Sequence, residues 1–202
     1  MKILSGNKKI KTAVFISGKG SNLKNLIKFS KFKNSPIKID LVISNNKYAK
    51  GLKHASKNKI EKRILNFRNI NKGEKKSLKI LLKKKIKLIC LAGFMKILSK
   101  NFIKKFRGKI INIHPSLLPA YKGGSAIKDS ILNGSKITGC SVHFVDEEVD
   151  SGSLIMQAAL SIRDDDDIDS LSKRIHLLEH KILPHSISHA GFLIRSNFME
   201  NY

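Results

Sequence analysis

Near-continuous apolar runs that alternate with amphipathic segments constrain the fold of this chain most strongly. The run IKLICLAGF, residues 86–94, carries one charged residue in nine. It follows GEKKSLKILLKKK, residues 73–85, in which apolar residues recur at helical spacing. A strand that is apolar throughout is buried on both faces, and the helices that connect such strands place them parallel in one sheet. The pattern predicts an α/β fold.

The same alternation continues along most of the chain. We predict strands over 11–17, 37–44, 86–94, 108–114, 137–145 and 153–162, and helices over 22–32, 47–57, 73–85, 99–106, 125–134 and 167–194. The last two strands flank DEEVDSG and either pair antiparallel or lie as neighbours. The last helix is expected to break or kink near Pro184. We therefore predict a single Rossmann-like, doubly wound domain over residues 1–202, with a mostly parallel sheet and a core at about 11–190.

The chain is strongly basic, with a formal net charge of +25 from 40 basic and 15 acidic residues. Clustered positive charge would favour nucleic acid as a partner. Here the basic residues are nearly all lysines spread from end to end, and aromatic residues make up 6% with no Trp. Base readout favours Arg, and binding of single strands uses aromatic stacking. We therefore expect a solvated lysine-rich surface and no specific nucleic-acid partner, with a non-catalytic nucleic-acid-binding protein as an alternative.

Neither a membrane nor an oxidising compartment is indicated. No apolar stretch approaches the roughly 20 residues of a membrane span, and the start MKILSGNKKIK has too short an apolar core for a signal peptide. Cys90 and Cys140 lie in apolar, strand-like runs and form no CxxC pattern. We expect a cytoplasmic protein with reduced, buried cysteines.

The segment SGKGSN, residues 17–22, places a glycine turn between the first strand and the first helix. Backbone N–H groups and the helix N-terminus there form an anion site suited to a phosphate, and Ser21 or Asn22 could cap the helix. The third glycine of GxGxxG and the GK[ST] ending of a P-loop are missing, so neither a dinucleotide nor a nucleoside triphosphate is indicated. A monophosphate site and a turn that simply needs glycine are equal alternatives.

The segment INIHPSLLP, residues 111–119, brings two polar side chains to the end of an apolar strand. Alternation places Asn112 and His114 on one face of that strand. Ligands bind at the carboxyl ends of strands in open α/β sheets. An Asn amide can donate to a developing oxyanion, and an imidazole can move a proton near neutral pH. The alternative is a core histidine beside an Asn that caps a turn.

Carboxylates follow the next strand in DEEVDSG, residues 146–152. A solvated loop is the simplest interpretation of Asp146, Glu147 and Glu148. Asp150 differs if it reaches His114, because a nearby carboxylate favours the imidazolium form.

The helical segment HLLEH matches the H-x-x-E-H zinc motif, with His176 and His180 on one helix face. A zinc site needs a third ligand, and Glu200 is the only carboxylate further along the chain. We therefore expect no metal.

Four segments together carry a family resemblance: SGKGSNLKNLI, LAGFMKIL, INIHPSLLP and GCSVHFVDEEVDSG. In this order and at these separations they resemble phosphoribosylglycinamide formyltransferases, over about residues 11–190. The resemblance implies transfer of a formyl group from the cosubstrate 10-formyltetrahydrofolate to the amine of glycinamide ribonucleotide, in purine biosynthesis, without a metal. Methionyl-tRNA formyltransferase and formyltetrahydrofolate deformylase are the related alternatives.

The resemblance also implies roles for individual residues. Asn112, His114 and Asp150 are its catalytic trio. Gly20, Ser21 and Asn22 bind the substrate phosphate, and Glu179 contacts the glycinamide end of that substrate. The implied folate-binding residues are Met95, Lys96, Ile97, Leu98, Asn112, Asp146, Glu147, Glu148, Val149 and Asp150, with Lys72 as a candidate for a basic residue that faces folate.

Overall fold

One seven-stranded sheet organises the protein. The structure, a computed structural model, describes residues 9–199, apart from the side chains of residues 192, 193 and 195–199. The strands are β1 Ile10–Ile16, β2 Ile37–Ser44, β3 Glu61–Ile64, β4 Leu88–Leu91, β5 Lys109–His114, β6 Ile137–Phe144 and β7 Leu154–Ser161. The helices are α1 Ser21–Ser30, α2 Leu52–Lys57, α3 Ile70–Lys83, α4 Lys100–Lys105, α5 Ala126–Leu132 and α6 Ile168–Met199.

The strand order is β3-β2-β1-β4-β5-β6-β7. Strands β1 to β5 pair in parallel, whereas β6 pairs antiparallel with both β5 and β7. The prediction of a doubly wound, mostly parallel sheet is confirmed, and the last two strands do pair antiparallel. Because the chain passes outward from β1 to β3 and returns to β4 on the other side of β1, the strand order reverses between β1 and β4. In such sheets the crevice at the reversal point is where ligands bind.

Apolar side chains form a cluster on each face of the sheet. One contains Val14 and Cys140 of the sheet with Leu171 and Leu183 of α6. The other contains Phe15 and Ile89 with Leu81 of α3 and Phe102 of α4. Adjacent residues of one strand, such as Val14 and Phe15, therefore enter different clusters, as strand alternation requires. Both Cys90 and Cys140 are buried free thiols, as predicted.

Of the break or kink predicted near Pro184, the break does not occur, because α6 continues through this residue. Proline has no N–H, so the carbonyl of His180, one turn earlier, loses its helical partner. Asn25 of α1 supplies a replacement: its Nδ2 donates to the His180 carbonyl at 2.5 Å. No helix within residues 9–199 has the length and apolar character that crossing a membrane requires.

Candidate active site

The glycine turn lies at the carboxyl end of β1, where α1 begins. Gly20 is the N-cap of α1, and no side chain caps this helix, so the cap predicted for Ser21 or Asn22 is wrong. The backbone N–H groups of the first turn thus have no side-chain cap, and with the helix dipole they favour an anion. Gly20 has φ 74°, and a Cβ there would lie 2.5 Å from the Gly51 Cα. Glycine is needed at this position for both conformation and space.

The structure brings Asn112, His114 and Asp150 together. Asn112 and His114 extend from β5, and Asp150 lies in the loop between β6 and β7. The Nδ1 of His114 is 3.3 Å from Asp150 Oδ2, and the Nδ2 of Asn112 donates to Asp150 Oδ1 at 3.3 Å. The side chains of His114 and Asp150 are only 5% and 9% exposed. The contact on which the sequence interpretation of Asp150 depended is present.

The segment AYKGG, residues 120–124, supplies main-chain groups that contact this trio. The Nε2 of His114 is 2.7 Å from the carbonyl of Tyr121, which can only accept, so Nε2 carries a proton. The N–H of Gly123 donates to Asp150 Oδ2 at 2.9 Å. Tyr121 and Asp150 both have left-handed backbone conformations, with φ 53° and 50°. Two main-chain groups of this one segment therefore hold the histidine and the aspartate.

His143 is a member of the site that the sequence analysis missed. It pairs directly with Asn112 across the antiparallel β5 and β6, and its Nε2 lies 3.3 Å from Asn112 Nδ2 and 3.5 Å from Asp150 Oδ1. The other ring nitrogen, Nδ1, faces the Phe144 carbonyl at 2.8 Å. The available signal was the register: antiparallel pairing of these two strands sets a residue of β6 opposite Asn112 on the same face.

Asp150 remains ionised although it is nearly buried. Burial alone would raise its pKa, but hydrogen bonding from His143 and from the Gly123 N–H, together with the charge interactions of His114 and His143, holds its pKa below the ordinary value. The site therefore contains a stable carboxylate beside two imidazoles. Such a carboxylate can orient His114.

Glu179 lies beside the glycine turn rather than beside the trio. It is buried on α6, and Asn22 Nδ2 donates to its Oε2 at 2.8 Å. Burial raises the pKa of Glu179 to about 7, against the opposing effect of the Asn22 hydrogen bond. The Oδ1 of Asn22 is buried without a partner within the described part of the chain. This carboxyl and this amide therefore have hydrogen-bonding capacity to offer a ligand at the turn.

No group of three His, Cys, Asp or Glu side chains in residues 9–199 could hold a metal ion. His176 and His180 flank Glu179 on α6, and Glu200, the third ligand considered from the sequence, lies outside the described residues. The H-x-x-E-H match is thus accounted for by the buried Glu179 that faces Asn22.

Apart from Asn112 in β5 and Lys72 in α3, the predicted folate-binding residues lie in two loops, one after β4 and one between β6 and β7. Met95 and Ile97 are 70% and 66% exposed after β4, whereas Leu98 is buried in the apolar cluster beneath them. Lys96 and Val149 are exposed, Asp146 accepts the Glu148 N–H, and Glu147 pairs with Lys104 at 3.1 Å. Lys72 is an exposed residue of the first turn of α3. Within the described residues, the Lys72 side chain makes no hydrogen bond or ion pair with the trio.

Comparison with known proteins adds independent evidence. A family model described as formyl transferase matches residues 10–187. The trifunctional purine biosynthetic protein adenosine-3 of Homo sapiens is 44% identical over 88% of this chain, which spans only 18% of the human protein. A phosphoribosylglycinamide formyltransferase of Haemophilus influenzae is 40% identical over 86% of this chain and 84% of that protein.

A crystal structure of phosphoribosylglycinamide formyltransferase from Anaplasma phagocytophilum is also similar to this chain. It has a TM-score of 0.86 and 38% identity, covering 91% of this chain and 87% of that one. The fold similarity therefore extends over most of this chain.

Proposed function

Because the chain belongs to the formyl transferase family, we propose that it transfers a formyl group from 10-formyltetrahydrofolate to the amine of 5'-phosphoribosylglycinamide, a reaction of purine biosynthesis. The observation that carries this proposal is the trio of Asn112, His114 and Asp150, set at the same sheet edge as an uncapped helix N-terminus. The acceptor substrate has a phosphate at one end and an amine at the other. The helix N-terminus suits the phosphate, and the trio suits the reaction at the amine. Both substrates are small molecules.

The trio acts on the tetrahedral intermediate. Attack of the neutral amine on the formyl carbon creates an oxyanion and an ammonium, and the folate nitrogen then leaves. Asn112 donates to the oxyanion, a role in which one hydrogen bond is worth about 3 kcal/mol. Its present contacts with Asp150 and His143 are both 3.3 Å long, which is beyond the usual optimum, so exchanging one of them for the oxyanion costs little.

His114 supplies positive charge and a path for the proton. Both of its ring nitrogens face oxygen acceptors, the Tyr121 carbonyl and the Asp150 carboxylate, so the imidazolium can donate to both. The charged form stabilises the oxyanion and assists proton movement to the leaving folate nitrogen. Asp150, which stays a carboxylate, orients the ring.

The remaining residues position the two substrates. Gly20, Ser21 and Asn22 bind the phosphate at the start of α1, and Glu179 contacts the acceptor substrate from α6. The folate cosubstrate binds along Met95–Leu98 and beneath Asp146–Asp150, with Lys72 as an outer contact. Holding the amine and the formyl carbon in contact supplies much of the remaining acceleration.

The test offers the purified protein 10-formyltetrahydrofolate with three alternative acceptors: 5'-phosphoribosylglycinamide, methionyl-tRNA and water. We expect tetrahydrofolate to be released only with phosphoribosylglycinamide. Formylation of methionyl-tRNA would indicate the tRNA-directed relative, and release without an acceptor would indicate a deformylase. Either result, without transfer to phosphoribosylglycinamide, would contradict the proposal.

A further inference from the structure

Ser17, the residue after β1, is bonded to loops on both sides of it. On one side its N–H donates to the Gly93 carbonyl at 3.0 Å, and its Oγ accepts the N–H of Met95 at 2.8 Å. On the other side its Oγ donates to Asn45 Oδ1 at 2.6 Å, and its carbonyl accepts from Asn46 Nδ2 at 3.2 Å. All of its polar groups therefore connect the loop after β2 to the loop after β4.

The position of Ser17 in the sheet explains why one side chain can make these contacts. Strand β1 lies between β2 and β4, at the point where the strand order reverses. The loops that leave these three strands meet above that point. The Gly51 N–H also donates to the Gly18 carbonyl at 3.0 Å, which ties the start of α2 to the same turn.

We infer that Ser17 is a positioning residue that couples the two substrate sites to each other. The inference rests on the proposed function, which assigns the phosphate to residues 20–22 and the folate cosubstrate to Met95–Leu98. A phosphate that orders the turn also orders Ser17, and its hydroxyl then fixes the backbone of Met95. The second substrate meets a segment that is already ordered, so each substrate increases the affinity of the other.

Binding of tetrahydrofolate, with and without 5'-phosphoribosylglycinamide, measures this coupling directly, because the pair lacks a formyl group and cannot react. We expect phosphoribosylglycinamide to tighten tetrahydrofolate binding at least fivefold in the wild-type protein. In Ser17→Ala the factor falls to about one, since one neutral hydrogen bond corresponds to roughly a fivefold effect. The KM for 10-formyltetrahydrofolate rises by a similar factor, while the turnover number with both substrates saturating changes less.

Two further variants separate coupling from general loosening. Ser17→Thr keeps the hydroxyl and retains the coupling. Ser44→Ala removes the hydroxyl that bonds to both backbone groups of Asn46, at 2.9 Å and 3.1 Å, but leaves the Met95 contact intact, so it also retains the coupling. If Ser17→Ala does not fold, Ser17→Cys, which keeps a side chain of similar shape with a weak acceptor, takes its place.

The inference is overturned if phosphoribosylglycinamide does not tighten tetrahydrofolate binding in the wild type, or tightens it equally in the Ser17 variant. In either case, formyl transfer by the wild-type protein still supports the proposed function. Absence of formyl transfer in the wild-type protein would instead reject the function itself. The two failures are therefore distinguishable.

Discussion

His114 is held unequally at its two ring nitrogens. Its Nε2 makes a 2.7 Å contact with the Tyr121 carbonyl, whereas its Nδ1 lies 3.3 Å from Asp150. The short contact anchors the ring, and the longer one leaves the Nδ1 side able to adjust when a substrate arrives. Asp150 has a second anchor of its own, because its Oδ2 also accepts the Gly123 N–H at 2.9 Å.

Glu179 carries a prediction about stability and pH. Burial raises its pKa from an ordinary 4.5 to about 7. Between these values the unfolded chain releases the proton while the folded protein retains it, so this group lowers the free energy of unfolding as the pH rises through that window. The loss is about 3 kcal/mol.

The comparison of wild-type protein with Glu179→Gln isolates this effect, because the amide does not titrate. In urea unfolding between pH 4.5 and pH 7.5, we expect the stability of the wild type relative to the variant to fall by about 3 kcal/mol. Parallel pH dependences of the two proteins would show that Glu179 has no raised pKa.

At the residue scale, the sequence could indicate side chains but not main-chain groups. The alternation that puts Asn112 and His114 on one face depends only on neighbouring residues, so the sequence predicts it. The partners of the trio from Tyr121 and Gly123 are a carbonyl and an N–H, which every residue has, so no residue type marks them. His143 needed the register of β5 with β6, which depends on pairing between segments about 30 residues apart.

At the element scale, α6 and α1 depend on each other through one hydrogen bond. The Asn25 Nδ2 donates to the His180 carbonyl that Pro184 leaves without a helical partner. We expect Asn25→Ala to lower the free energy of unfolding by about 1–2 kcal/mol, since the carbonyl is then left unpaired. Urea unfolding measures the change.

A double-mutant cycle with Pro184→Ala tests the cause. Alanine restores an N–H at position 184, which can satisfy the same carbonyl, so Asn25→Ala should then cost close to nothing. An equal cost of Asn25→Ala in both backgrounds would mean that the hydrogen bond to His180 does not explain the unbroken helix.

The short strand β3 shows where element prediction from the sequence failed. Its sequence EKRI has three charged residues in four, and it lies at the edge of the sheet with most of its residues exposed. Strand signals in a sequence come from burial, which an exposed edge strand lacks. The buried strands, by contrast, were all predicted, because burial on both faces imposes an apolar sequence, although the strand predicted over 86–94 is only Leu88–Leu91 in the structure.

At the scale of the whole molecule, the sheet order sets the phosphate turn and the trio at one edge, and the sequence alone did not reveal that order.

The net charge of +25 is a second property of the whole molecule. Because the sequence has no cluster of Arg or aromatic residues, this charge should attract nucleic acid only through phosphate contacts, which salt weakens.

Binding of an oligonucleotide and its scrambled counterpart tests this expectation. We expect equal affinities at low salt and a loss of roughly a hundredfold or more between about 50 mM and 200 mM salt, as counterion release requires. Tight binding at physiological salt that distinguishes the two sequences would instead favour the nucleic-acid-binding alternative.

The central claim is that formyl transfer runs through the trio, and transfer from 10-formyltetrahydrofolate to 5'-phosphoribosylglycinamide by wild-type, His114→Ala and Asp150→Asn proteins measures it most directly. We predict that the wild type transfers the formyl group. Each variant should lose at least about a hundredfold in turnover while it unfolds cooperatively like the wild type. Wild-type turnover in both variants would contradict the account.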